Sequence, residues 1–427
     1  METKKIMNKV INLITRRYAL LTLAAVCIAA ALTQSAAAQT ATPVKPKLQV
    51  AEPSAKRLDE IAAYFQDFTE KHLLDDDGLV RGLISPLTLR PFTIAELSPK
   101  YDKYMQAICQ NGTDPAGAVT YENSLMATGE FAMSQIVRHE KTGSTEALVL
   151  ARKAVGAILA VSRQGENYMP GFLPKPFGGV ARARYSHEMS TDQYTKPLAA
   201  LDLWLPYAAP KERDEILRFY KNAADFFIAR NFRFPWRQKV IVDPNIHLHA
   251  LALYIPLITL ADRYGDKKYQ NQLRRFEEPM KLLVLALEHP EQLPEINRNS
   301  TDLNFNGISL LLDGFAVAVR NGSTDVLLPD LMRRCFDRAG QNIGADGFGR
   351  DLMQKVGENS SWAVRVVAGA PLLARDSGSE QRRQLALRVL NAYDHVDRMR
   401  VVEPGEPVDG INGLSVSSWL LAYWRLK

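Results

Sequence analysis

The stretch "NIHLHALALYIPLITLADRYG" at 245–265, followed by "KKYQNQLRRFEEPMKLLVLALE" at 267–288, decides the fold. The first piece is apolar on nearly every side. The second repeats apolar residues at helical spacing and carries charge on its other face. A helix that is apolar all round is buried, and one with a polar stripe faces solvent. The turn between them, "YGDKKY", is too short to do more than reverse the chain. The stretch therefore reads as a helical hairpin with one inner and one outer member.

The same alternation runs outward in both directions. Further apolar helices are expected at 190–207, 300–319, 358–376 and 411–426, and amphipathic ones at 211–231, 325–340 and 379–396. The buried set begins every 55 residues or so, a supersecondary period. Upstream, 119–140 and 145–162 form another pair, and 54–73 is amphipathic on its own. No convincing strand pattern accompanies them. The count is six hairpins, an all-α (α/α)6 toroid over 54–427 with an inner ring of parallel helices and an outer amphipathic ring. Helix 54–73 would close the ring beside the last inner helix. An open solenoid is the alternative, but its terminal helices would want polar caps.

Parallel inner helices place their first turns around one funnel, and the longer loops gather at that end. Those turns are polar throughout. They hold Tyr121 and Glu122, then His187, Glu188, Asp192 and Gln193, then Asn245, His247 and His249. They continue with Asp302, Asn304 and Asn306, then Glu358, Asn359 and Trp362, and finally Asp409 and Asn412. Capping explains many of them, because short polar side chains accept free N–H groups at helix starts. It explains Glu122, Glu188 and the histidines poorly. In "STDQ", 190–193, Ser190 and Gln193 have capping-box spacing. Pro197 argues instead for a start at Thr195, since proline inside a helix removes a bond and clashes.

"STD" recurs at 300–302, two hairpins later and nearly opposite in a six-fold ring. Asp192 and Asp302 thus become a facing carboxylate pair, with Glu188, His187 and Glu122 as further catalytic candidates. Paired carboxylates are what glycoside hydrolysis requires. Tyr185, Arg184, Gln193, Trp236, His247, His249, Asn304 and Trp362 are the candidate substrate contacts. The loop aromatics Tyr168, Phe172, Phe177, Tyr185, Trp236 and Phe348 could stack on sugar faces. The loop arginines 182, 184, 233, 237, 298 and 350 would suit an acidic glycan.

The segment "HEMSTDQYTKPLAALDLWLPYAAPKERDEILRFYKNAADFFIARN", with "LADRYGDKKYQNQL" after it, resembles the six-hairpin glycosidase-like toroid proteins of bacteria. An acidic "S-x-DQ" motif opens an inner helix there, and "tGD-x-x-Y" closes another. The likeness covers most of 118–427 in layout and rests on short motifs. It implies a central-cavity site at Asp192. The superfamily includes hydrolases, polysaccharide lyases and members without known activity, so the reaction is left open. Lys196-Pro197 departs from the pattern, where small or apolar residues are common.

The remaining signals bound the setting. A basic stretch to Arg17, an apolar run at 18–32 and "AAA" at 36–38 read as a signal peptide over 1–38, followed by a flexible leader at 39–53. The apolar run is about fifteen residues, short of the roughly twenty that span a bilayer, so no stable membrane span is expected after cleavage. The product is expected to be periplasmic or secreted. "TRRYAL" at 15–20 is only a weak twin-arginine match, because Ala19 stands where a large apolar residue belongs. The net charge is +6, and the first 38 residues carry +4 of it. Nothing in that balance asks for nucleic acid.

Cys27 leaves with the signal, and Cys109 and Cys335 are paired or separately buried. "HLH" at 247–249 is a poor metal pair, because i and i+2 on a helix point about 200° apart. "DDDG" at 75–78 is a turn lacking the rest of a calcium loop. No phosphate loop, thiolate cluster or nucleophile elbow is present, so neither metal nor cofactor is expected. The expectation is an exported protein acting on oligo- or polysaccharide, first as a glycoside hydrolase. A lyase using Tyr185, His187 and Arg184 on uronates is the alternative, and a non-catalytic glycan binder or scaffold is the third reading.

Overall fold

The computed structural model describes residues 54–97, 114–236, 240–265, 268–298, 303–323, 325, 327–350, 360–373, 378–402 and 409–427. The expected signal peptide, the leader, Cys109 and Asp302 lie outside the described residues, as do Glu358, Asn359 and Arg237.

The helices in chain order are α1 (Ala55–Phe68), α2 (Pro115–Tyr121), α3 (Ser124–Thr142), α4 (Thr145–Glu166) and α5 (Thr191–Trp204). They continue with α6 (Pro210–Ile228), α7 (Leu251–Tyr264), α8 (Glu277–Glu288), the single turn α9 (Glu295–Arg298) and α10 (Phe305–Arg320). The last four are α11 (Leu327–Gly340), α12 (Ala363–Val367), α13 (Ser379–Ala392) and α14 (Gly413–Leu426). The inner set is α3, α5, α7, α10, α12 and α14. Each packs on the next, and α14 packs back on α3. The ring is therefore closed, and the chain is an (α/α)6 toroid.

Burial explains the sorting. Along α7, eleven consecutive residues from Leu251 to Ala261 are buried, whereas α8 buries only Pro279, Met280, Leu283 and Ala286. Helix α1 completes the outer ring against α14, with the Phe65 and Trp419 rings 5.0 Å apart. The Tyr423 hydroxyl and the Lys427 ammonium both donate to Asp59 on α1. Two glycines set the inner spacing. A Cβ on Gly129 of α3 would come within 2.6 Å of the Lys196 carbonyl carbon of α5. One on Gly314 of α10 would meet the Ala252 carbonyl of α7. α5 also touches α10 directly, across the ring.

Of the two starts the sequence left open for α5, the structure takes the one with Ser190 at the N-cap position: the helix runs from Thr191 and contains Pro197. The proline occupies its seventh position, beside the close approach at Gly129, and the tertiary contact overrides the local cost of about 3 kcal/mol. The fifth inner helix is far shorter than 358–376: α12 ends at Val367, and a 3-10 turn at Ala370–Leu373 follows. Short strands also exist. β1 (Leu83–Ile84), β5 (Asp409–Asn412) and β4 (Arg400–Val402) form one antiparallel sheet, with β5 in the centre. β2 (Phe234–Trp236) and β3 (Val240–Val242) form a hairpin. No helix among the described residues is long and apolar enough to cross a membrane.

Candidate functional site

The loop leading into α5 is tied to the helix it precedes. The buried Tyr194 hydroxyl accepts the Leu173 N–H at 2.6 Å and donates to the Gly171 carbonyl at 2.9 Å. Lys175 follows, between Pro174 and Pro176, and its N–H donates to the Glu188 carbonyl at 2.8 Å. Its ammonium lies 3.5 Å from Glu122 Oε1. Glu122 ends α2, and its carbonyl accepts from Gln193 Nε2 at 2.8 Å. Glu122, Lys175, Glu188, Asp192 and Gln193 are thus drawn together where α3 and α5 begin.

That geometry corrects the capping-box expectation. Ser190 is the N-cap residue, but its side chain does not bond the helix N–H groups. Its hydroxyl donates to Asp192 Oδ1, which also accepts the Gln193 N–H at 2.8 Å. Asp192 Oδ2 accepts from none of the described residues. Asp192 is partly exposed. Residues four apart share a helix face, so Asp192 lies on the face of Lys196. Lys196 points into the ring, where its ammonium meets Glu130 of α3 at 2.8 Å and Asp313 of α10 at 2.6 Å.

The other candidates are scattered. His187 is exposed and lies against Tyr168, ring centroids 4.9 Å apart. The Arg184 guanidinium sits 4.6 Å over the Tyr185 ring and donates to its hydroxyl at 2.6 Å. His247 is buried, and its Nδ1 accepts the Asp243 N–H at 3.2 Å. Its ring is 6.3 Å from that of His249. Trp236 is half-buried on β2. Asn304 caps α10 by accepting the Gly307 N–H at 2.9 Å. Trp362 lies under the Arg365 guanidinium at 4.4 Å. Of the loop aromatics expected at the rim, Phe172, Phe177 and Phe348 are instead core residues. A phenyl ring has no polar tip to keep wet, and burying it stabilises the loop.

Asp75 of "DDDG" is buried and accepts from the Leu79 N–H at 2.8 Å and from the Tyr121 hydroxyl at 3.0 Å. Burial raises its carboxyl above the usual range, against the pull of those two bonds. Cys335 is a buried free thiol, pushed up to about 12 by burial. Among the described residues no group of three or more His, Cys, Asp or Glu side chains is set to hold a metal. A surface depression of about 220 Å³ lies between α6 and α7, lined by Arg218, Lys221, Leu260 and Tyr264 among others. It sits toward the C-terminal end of α7, away from the first turns, and holds none of the candidates.

Two groups escaped the sequence reading. Lys175 gave no signal, being one lysine among loop prolines. The other is the set of charged residues inside apolar helices: Glu130, Lys196 and Asp313, joined by Arg425 of α14, 3.0 Å from Asp313. Charge within an all-round apolar helix was the available sign.

No protein-family model and no curated protein matches the sequence. Among solved structures, the chain is similar to a mutant unsaturated glucuronyl hydrolase from Streptococcus agalactiae complexed with dGlcA-GalNAc6S. Identity is 12% over 90% of this chain and 98% of that one, with a TM-score of 0.50. It is likewise similar to a UGL mutant with dGlcA-Glc-Rha-Glc, at 15% identity over 87% and 96% of the chains and a TM-score of 0.50. A cellobiose 2-epimerase from Bacillus thermoamylovorans shares 13% identity over 86% and 99%, with a TM-score of 0.49. At such identities the likeness shows the six-hairpin toroid fold, which hosts more than one chemistry.

Proposed function

We propose that the protein acts on carbohydrate as an exported glycoside hydrolase, with Asp192 as the acid or base at the mouth of the ring. One observation carries this reading. Asp192 is held in the first turn of an inner helix by Oδ1, while Oδ2 accepts from none of the described residues. Hydrolysis needs one carboxyl to protonate the glycosidic oxygen. A second activates water, or attacks the sugar carbon directly. Asp302, on the lead into α10, is the proposed partner, because α10 packs on α5. Glu188 and Glu122, drawn in where α3 and α5 begin, are the reserves.

A lyase is the second reading, favoured by the Arg184–Tyr185 pair. A phenol beside a guanidinium suits proton abstraction next to a uronate carboxylate. A glycan panel with wild type and Asp192→Asn tests both. The hydrolase reading expects new reducing ends without an unsaturated, ultraviolet-absorbing product. It also expects turnover to fall by about 10²–10⁴-fold in the variant. Unchanged turnover in Asp192→Asn would sink the assignment of that residue, and an absorbing product would transfer the chemistry to Tyr185.

A further inference from the structure

The depression between α6 and α7 lies apart from the mouth, and the pitch of the two helices explains its lining. Residues three and four apart share a helix face. On α6, Lys221 is three residues from Arg218 and four from Leu217; on α7, Tyr264 is four from Leu260. Leu260 and Ala261 are buried, and Leu217 and Tyr264 are half-buried, so the inner wall is apolar. Arg218 and Lys221 are exposed, and long cations carry their charge to water on an apolar stem. None of the lining residues is acidic. The Arg218 side chain keeps 55% of its surface open, and its carboxylate neighbour is Glu166, with Oε1 4.0 Å from Nε. Charge-assisted bonds run about 2.7–2.9 Å, and that same oxygen accepts from Asn222 Nδ2 at 3.3 Å. The volume of about 220 Å³ is below the roughly 300–1,000 Å³ of sites for drug-sized ligands. There is room for a single ring and not for a chain of them.

We infer that this depression binds a small amphipathic carboxylate, one carboxylate group on an apolar body the size of a ring. The carboxylate accepts from Arg218, whose forked donors match its two oxygens, and Lys221 adds charge from one turn further along. The apolar body lies on Leu217, Leu260 and the Tyr264 ring. A sugar acid would satisfy the cations equally. It would also press hydroxyls against Leu217, Leu260 and Ala261, whose side chains offer them no bond, and polar groups left imperfectly paired cost affinity. The apolar acid is therefore favoured. The inference goes beyond the carbohydrate reading and does not depend on it.

The test is a ligand-detected NMR titration of benzoate, benzamide, hexanoate and glucuronate. The proteins are wild type, Arg218→Gln, Arg218→Lys, Leu217→Gln, Lys211→Gln and Asp192→Asn. Lys211 is an exposed lysine of α6 that does not line the depression, and Asp192 belongs to the proposed site at the mouth. Wild type is expected to bind benzoate saturably with a Kd of about 1 mM. Hexanoate should bind comparably, and benzamide and glucuronate at least five-fold more weakly. Arg218→Gln and Leu217→Gln should each weaken benzoate at least five-fold, with partial recovery in Arg218→Lys and no change in Lys211→Gln or Asp192→Asn. Arg218 and Leu217 are not fully buried, and melting curves on the same samples show that the variants are folded. A wild type without saturable benzoate binding overturns the inference, as does unchanged affinity in Arg218→Gln. An equal loss in Lys211→Gln would mean attraction to a positive surface and no site. Benzamide binding as tightly as benzoate would remove the role of the charge, and tighter glucuronate binding would overturn the apolar body. None of these outcomes bears on Asp192 turnover, so this inference and the carbohydrate reading fail separately.

Discussion

Lys175 and Lys196 are buried to nearly the same degree, 5% and 0% exposed, and are held in opposite ways. Among the described residues Lys175 has one carboxylate contact, at 3.5 Å. Lys196, one helical turn below Asp192 on α5, has two, at 2.6 and 2.8 Å, and donates to the Ser309 carbonyl as well. Around Lys196 the bonds continue. Arg425 of α14 reaches Asp313 and the Ala368 carbonyl beyond α12, and the Ser418 hydroxyl of α14 donates to Glu130. The deep cluster joins α3, α5, α10 and α14 and offsets the cost of burying its charges. At the mouth, the Lys175 ammonium and the Gln193 amide both bear on Glu122. The deep lysine is thus a cross-link of the ring, and the shallow one ties the loop before α5 to the end of α2.

The largest effect should come from breaking the cross-link. Lys196→Met leaves Glu130 without its cation and Asp313 with Arg425 alone. Removing one partner of a buried pair costs about 3–5 kcal/mol, so urea unfolding should show a loss of that size or no folded protein. A Lys196→Met variant within about 1 kcal/mol of wild type would erase the distinction between the two lysines.

Acid should pull the deep cluster apart next. Burial pushes the Asp313 carboxyl up, but Lys196 and Arg425 outweigh it and hold the group at about 2, below its ordinary 3.8. The folded value is depressed, so the stabilisation is complete above the unfolded value and is lost as pH falls from 3.8 through about 2. The loss is on the order of 2 kcal/mol. Asp313→Asn removes that group from the titration. Between pH 4 and pH 2 its unfolding midpoint should therefore fall less steeply than that of wild type. Parallel slopes would mean that Asp313 is not held by its cations.

The same contrast marks how far the sequence could be read. Inner and outer helices were legible because full burial and half burial leave different apolar patterns, as at 245–288. Ring closure followed from counting them. The strands were not legible, because β1 and β5 are two and four residues long, too short for a period of two to show. The break in the fifth inner helix was written in Gly369 and Pro371 but masked by the apolar residues around them. Asp192 was placed at an inner-helix start by the helical repeat and the motif that opens it. Its surroundings were not, since Gln193 meets the Glu122 carbonyl, 71 residues away in sequence. That partner competes with the local capping box, and no local spacing announces it.

The smallest expected effect separates the two regions most finely. A serine that caps a helix is worth about 1 kcal/mol. Ser190 occupies the cap position of α5, but its hydroxyl holds Asp192 Oδ1 instead. Ser190→Ala should therefore cost less than about 0.5 kcal/mol, the range of changes that break no cap and no buried network. Its effect should fall on turnover, because Asp192 loses one of two groups fixing its oxygen, and a hydrogen bond to a charged group is worth about ten-fold or more. Urea melts and glycan turnover on the same preparation measure both quantities. A stability loss near 1 kcal/mol with unchanged turnover would return Ser190 to ordinary capping and weaken the case that this end of the ring is built for chemistry. Loss of turnover at unchanged stability would place Ser190 in the proposed site and not among the supports of the fold.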